Sequence, residues 1–210
     1  MRMDEKDKKL LKVGVVMLIV AVGLSVAVYV AEFSGWISLT GITVDQQNGC
    51  ATDNIKLDDR GTYYSQSFIP TMNTINNVKI QMIRVHENAS AAMIRVAIYE
   101  TRPDILTESG RLVYDDITMA SVGDEQEWQT FDMGNVVVTP GQEYWITIQL
   151  TKDAQYPVRF YCCHSDTYKR GVLERKETGK DWNDLISGSL RGKSDMTFQV
   201  WGFNEIFHEP

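Results

Sequence analysis

The chain carries no GxSxG, HExxH or Walker phosphate-loop pattern, so the familiar nucleophile, zinc-peptidase and nucleotide signatures are missing. Cysteine is scarce: Cys50, Cys162 and Cys163 are the only three. They have no CxxC spacing, which gives zinc no support even with His164 alongside. His86, His164 and His208 lie far apart, and nothing in the sequence groups them. After residue 31 no 12-residue stretch shows a helical period, and no internal repeat stands out. Charge is absent from Val13 to Ala31, and no basic residue occurs between Lys12 and Lys56.

The uncharged run, VGVVMLIVAVGLSVAVYVA, is what organises the rest. As a helix it spans about 28 Å, close to one hydrocarbon core. We read it as an uncleaved transmembrane anchor. Arg2, Lys6, Lys8, Lys9 and Lys12 precede it, so the positive-inside rule places residues 1–12 in the cytoplasm and the large C-terminal domain outside. Tyr29, Phe33 and Trp36 sit at the outer end, where amphipathic rings favour the interface. Ser25-Val26-Ala27 resembles a signal-peptide cleavage site, but the apolar run continues beyond it. Lys12-Val13-Gly14 lacks the features of a prepilin leader. Gly23, Ala27 and Ala31 recur every fourth residue and offer a small-residue face for helix–helix contact and a homo-oligomer.

Residues 32–210 carry 16 basic and 25 acidic side chains, net −9. That balance argues against nucleic acid and against broad docking on anionic lipid. It allows a cation or a basic partner. The length suits one domain with its own core.

Residues 32–60 read as a membrane-proximal stalk or first strands. From Gly61 the dominant period is two. Val78, Ile80 and Met82 alternate with Asn77, Lys79 and Gln81, and Ile94, Val96 and Ile98 with Arg95, Ala97 and Tyr99. Tyr144–Leu150 is the clearest strand. Half-buried strands separated by turn residues such as Pro140-Gly141 predict an all-β, antiparallel sandwich, jelly-roll-like, over 61–203, with a short tail at 204–210. The order Gln66-Ser67-Phe68, Trp128 to Phe131, Pro140-Gly141-x-x-Tyr144, Trp182 and Phe198-x-Val200-x-Gly202 resembles the jelly-roll domains of secreted and anchored surface proteins of bacteria and archaea, including the choice-of-anchor type. These are fold markers without chemistry, and the resemblance implies a surface domain. In layout alone the chain is also similar to small anchored accessory proteins of the archaeal motility filament.

Candidate sites follow. In an oxidising exterior Cys50 can bond to Cys162 or Cys163, closing a loop worth about 4–5 kcal/mol. Asp58 and Asp59 before the first firm strand, with Asp195 before the last, offer oxygen ligands for calcium, because jelly-roll ends often meet. Tyr63, Trp145, Tyr168 and Trp182 are candidates for stacking on sugar rings. Trp145 leads them, since it lies opposite the Tyr144/Ile146/Ile148 face and should point to solvent unless something covers it. Asn88-Ala89-Ser90 is a glycosylation sequon in a predicted loop. The expected role is non-catalytic: a structural or adhesive component of a cell envelope that meets lipid and other surface proteins. The alternative is a carbohydrate-binding module, with or without calcium. A glycosidase with paired carboxylates is the remote third reading.

Overall fold

The computed structural model describes residues 41–86, 92–104, 107–163, 165, 167–184 and 194–205. The Val13–Ala31 run, the Gly23/Ala27/Ala31 face, the Asn88 sequon, His164 and His208 lie outside them. Among the described residues no helix is long and apolar enough to cross a membrane. Ile42–Asn204 form one compact unit.

The unit is all-β, with two antiparallel sheets. The first is built from β1 (Thr43–Asn48), β2 (Asp53–Leu57), β4 (Thr74–Arg84), β7 (Glu127–Val137), β9 (Val158–Cys163), β12 (Asp195–Met196) and β13 (Phe198–Phe203). The second holds β3 (Thr62–Phe68), β5 (Met93–Asp104), β6 (Ser109–Thr118), β8 (Tyr144–Leu150), β10 (Leu173–Glu177) and β11 (Asn183–Asp184), in the order β11-β10-β3-β8-β5-β6. The sandwich therefore begins well before Gly61. Residues 43–57 are strands of the first sheet, β1 beside β13 and β2 beside β9.

Alternation in sequence becomes burial in space. Val78, Ile80, Met82, Phe131, Phe160, Phe198 and Val200 of the first sheet face Phe68, Ile94, Val96, Ile98, Ile146 and Ile148 of the second, and all are fully buried. Rings interlock across the gap: Tyr64 meets Phe160 edge-on at 5.1 Å. β7 runs unbroken as one strand on both sides of a turn-like pair. That pair is a bulge at Gly134 and Asn135, both at positive φ, where the β4–β7 register jumps from Ile75↔Val136 to Asn77↔Asp132.

The last strand is shared between two neighbours. β12 pairs with β9 and β13 with β4. Thr197 lies between them, giving its N–H to Tyr161 O at 2.9 Å and receiving Gln81 N–H at 3.3 Å. β4 thus keeps β7 on one edge, while β13 and then β9 share the other.

Cys50 is bonded to Cys163, 113 residues away, tying the β1–β2 turn to the end of β9. Cys162 points the other way, as strand alternation requires, and is free and buried in the core. Burial pushes its thiol from the ordinary 9.0 up to about 12, with Asp53 adding to the rise. The folded state then keeps a proton that the unfolded chain has lost. This stability is intact below about pH 9 and declines as pH rises towards 12. Native protein should release no fast signal with a thiol reagent and one thiol in denaturant. More than one native thiol would contradict the Cys50–Cys163 bond. Cys162→Val should flatten the alkaline decline in stability.

Candidate functional site

The outer face of the first sheet is set by the residues between the buried ones. β4 turns out Asn77, Lys79 and Gln81; β13 turns out Gln199 and Trp201; β7 turns out Trp128, Thr130 and Asp132. β9 adds Arg159 and Tyr161, and β2 adds Asn54 and Lys56. Trp201 and Trp128 are both half-buried, each lying on the sheet with part of its surface open. Trp201 is level with Asn77, and Trp128 with Gln81 two strands away. Strand spacing and rise put the two about 16 Å apart.

Amides knit this face together. Asn76, the extra residue in β4 relative to β13 and opposite the bulge of β7, donates to Asn135 Oδ1 at 2.8 Å. Asn77 donates to Asn76 Oδ1 at 2.7 Å. Trp201 Nε1 donates to Gln199 Oε1 at 3.0 Å, which fixes the ring in plane. Lys79 Nζ lies 4.4 Å from the Trp201 ring centroid, a cation–π contact. Gly202 permits the arrangement. A Cβ there would stand 2.2 Å from Thr74 O, so any other residue would push β13 and Trp201 off the sheet. The result is a platform of two indoles bordered by amide donors and acceptors.

The outer face of the second sheet is different, and here the expectation for Trp145 is corrected. Trp145 does point away from the core, but it is only 6% exposed and packs with Ala97, Tyr99 and Val172. The β5–β6 hairpin bends over it. Between the pairs Tyr99↔Arg111 and Asp104↔Ser109, four residues of β5 oppose one of β6. Gly110 at φ 76° makes room. Arg102 thereby reaches Glu174 on β10 with paired bonds of 2.9 and 2.5 Å, although β8 and β3 lie between those strands. Trp182 Nε1 donates to Pro103 O at 3.0 Å, securing the same fold-over. Trp182 and Tyr63 are half-buried near Lys176, at the β10 side of this face. Tyr168 is buried instead. Its hydroxyl donates to Gln46 Oε1 at 2.9 Å and its ring meets Phe198 edge-on at 5.1 Å. Burial pushes its phenol up to about 12.

Asp58, Asp59 and Asp195 do not converge, so the trio expected as calcium ligands is not one ligand set. Asp195 sits opposite Cys163 at one end of β9, while β2 reaches Asp58 only after Leu57↔Val158 at the other. Five residues of strand separate them by about 16 Å. Asp195 is buried and accepts the Tyr168 N–H at 2.8 Å and Gln66 Nε2 at 3.4 Å. Asp59 accepts from Gly61 N–H at 2.7 Å and from the Thr62 hydroxyl at 3.1 Å. Asp58 pairs with Lys56 at 2.6 Å. Among the described residues no three His, Cys, Asp or Glu side chains are grouped to hold a metal. Asp58 and Asp59 line instead a cleft of about 120 Å³ with Lys56, Leu57, Thr62, Tyr64 and Arg175. Burial raises the Tyr64 phenol, and the Arg175 charge opposes it.

The sequence reading named neither Trp201 nor Trp128 as a ligand residue. The signal was present in the polar–apolar alternation, since the x positions of Phe198-x-Val200-x-Gly202 are Gln199 and Trp201.

No family model matches the chain, and no curated protein is similar to it. Several solved structures show remote similarity, two of them as follows. One is a carbohydrate-binding module, CBM36, in complex with calcium and xylotriose: 16% identity, TM-score 0.35, covering 59% of this chain and 89% of that one. The other is a family two carbohydrate esterase from Cellvibrio japonicus: 12% identity, TM-score 0.31, covering 68% of this chain and 32% of that one.

Asp195→Ala should cost about 3 kcal/mol in urea unfolding, because it strands a buried N–H and a buried amide that now meet a charged acceptor. Asp58→Ala should cost under about 1 kcal/mol, its pair with Lys56 being exposed. Equal losses in the two variants would contradict the separate environments.

Proposed function

We propose that this chain is a membrane-anchored, non-catalytic surface protein whose sandwich binds glycan on the outer face of the first sheet. The observation that carries the reading is the Trp201–Trp128 platform with Asn77, Gln81 and Gln199 beside the rings. Flat indoles cover the apolar faces of sugar rings, and fixed amides exchange hydrogen bonds with hydroxyls. Adhesion to an envelope then runs through sugar. The finer jelly-roll reading of the sandwich rests on the way β3, β4 and β5, and again β7, β8, β9 and β10, alternate between sheets. The external location rests on the uncharged Val13–Ala31 run with its basic N-terminal flank, and on the Cys50–Cys163 disulfide, which suits an oxidising compartment. Self-association through Gly23, Ala27 and Ala31 would raise avidity for a repeating polymer.

The test is a glycan array followed by calorimetry on the full chain in nanodiscs. Trp201→Ala should weaken binding about tenfold or more, equivalent to at least about 1.4 kcal/mol. Trp201→Phe should retain part of the affinity, and Asp58→Ala should retain all of it. Chelator should leave binding unchanged, since among the described residues the face groups no carboxylates. No bound glycan, with capture of an envelope protein that sugars do not compete, would replace this reading with a structural one.

A further inference from the structure

The platform is the basic part of an acidic domain. Residues 32–210 are net −9. Yet among the described residues the outward positions of β2, β4, β7 and β9 carry Lys79, Arg159 and Lys56 against one carboxylate, Asp132. Lys56 is neutralised by Asp58 at 2.6 Å. Lys79 and Arg159 are not neutralised. The Lys79 ammonium rests on the Trp201 ring and meets no carboxylate among the described residues. The Arg159 guanidinium donates from Nη1 to the neutral Asn54 Oδ1 at 2.8 Å, and its Nε has no acceptor. β9 pairs Arg159 with Ile83, four residues along β4 from Lys79, so the two charges stand about 14 Å apart on one face.

An ion pair is the ordinary fate of surface cations in a chain with surplus carboxylate. Arg95 with Asp116, Arg102 with Glu174, Arg111 with Glu108, and Arg175 with Glu177 follow it, whereas Arg60, Arg84, Lys152, Arg170 and Lys176 have no carboxylate partner among the described residues. Lys79 and Arg159 stand apart from these in their place, on one sheet face with the two half-buried indoles Trp201 and Trp128. We propose that the glycan bound there is anionic, a polysaccharide bearing carboxylate or sulfate groups, with its rings on Trp201 and Trp128 and its acidic groups on Lys79 and Arg159. This rests on the glycan reading above and deepens it. The domain's net negative charge does not forbid it. At physiological salt the screening length is about 8 Å, so charges on the face outweigh carboxylates on other surfaces. Arg159 supplies the planar fork that suits an oxyanion, and Lys79 supplies a mobile point charge already placed over the stacking ring.

The experiment uses the full chain in nanodiscs and two matched probe pairs: polygalacturonate with its methyl ester, and dextran sulfate with dextran. The acidic member of at least one pair should bind tenfold or more tightly than its neutral partner, and weaken as salt is raised. Lys79→Gln and Arg159→Gln should each lose fivefold or more for the acidic probe, with melting temperatures near wild type. Lys152→Gln, on the exposed turn after β8, should lose nothing. Equal losses in Lys152→Gln would reduce the effect to diffuse charge and overturn the proposal. So would equal binding of acidic and neutral probes that Lys79→Gln leaves unchanged. If Trp201→Ala still abolished that binding, the glycan reading would survive while the anionic one failed. Absence of binding to both pairs and to the array would end both.

Discussion

Thr197 is where the first sheet divides, and much of the molecule depends on it. Its N–H serves β9 and its carbonyl serves β4, so the last strand crosses from one neighbour to the other with both backbone groups of Thr197 paired. That crossing lets β13 and β9 share one edge of β4. It widens the sheet and puts Trp201, Lys79 and Arg159 on a continuous outer surface. A straight last strand would have kept either β9 or β13 beside β4, and the platform would have lost one of its charges or one of its rings.

The two outer faces met opposite fates for a local reason. On the second sheet, extra residues in β5 bend the hairpin back across the strands, and the Arg102–Glu174 pair holds it there. The hairpin shields Trp145, and the aromatic surface there goes into packing. Among the described residues the first sheet has no such fold-over. Its bulge at Asn76, opposite Met133 to Asn135, instead aligns a row of amides. Burial on one side and exposure on the other come from where each sheet takes its bulge.

The disulfide and the Asp195 hub protect this arrangement from the end where the chain enters the sheet. Cys50–Cys163 joins the β1–β2 turn to β9, and Asp195 gathers Tyr168 and Gln66 beside it. A buried carboxylate with several donors is a structural acceptor, and its worth lies in satisfying groups that would otherwise be stranded. This is why a residue that looks like a metal ligand in sequence serves as part of the frame.

The two-residue period decided the strands from Thr62 to Phe203, because the side of a strand a residue faces follows from its parity alone. The same parity decided that Cys162 and Cys163 point in opposite directions, and the composition decided the domain's charge. The uncharged Val13–Ala31 run is as plain in sequence as any strand. Parity does not say whether an outward face stays open. Trp145 and Trp201 have the same sequence signature, outward between inward apolar residues, and only the hairpin that covers one separates them. Nor does sequence order give distance. Asp58, Asp59 and Asp195 became two sites because register along β9, set by long-range pairing, keeps them a strand's length apart. Lys79 and Arg159, 80 positions apart in sequence, came onto one surface through the pairing of β4 with β9 at Ile83 and Arg159. Local pattern fixes which way each residue faces, and tertiary pairing decides what it meets there.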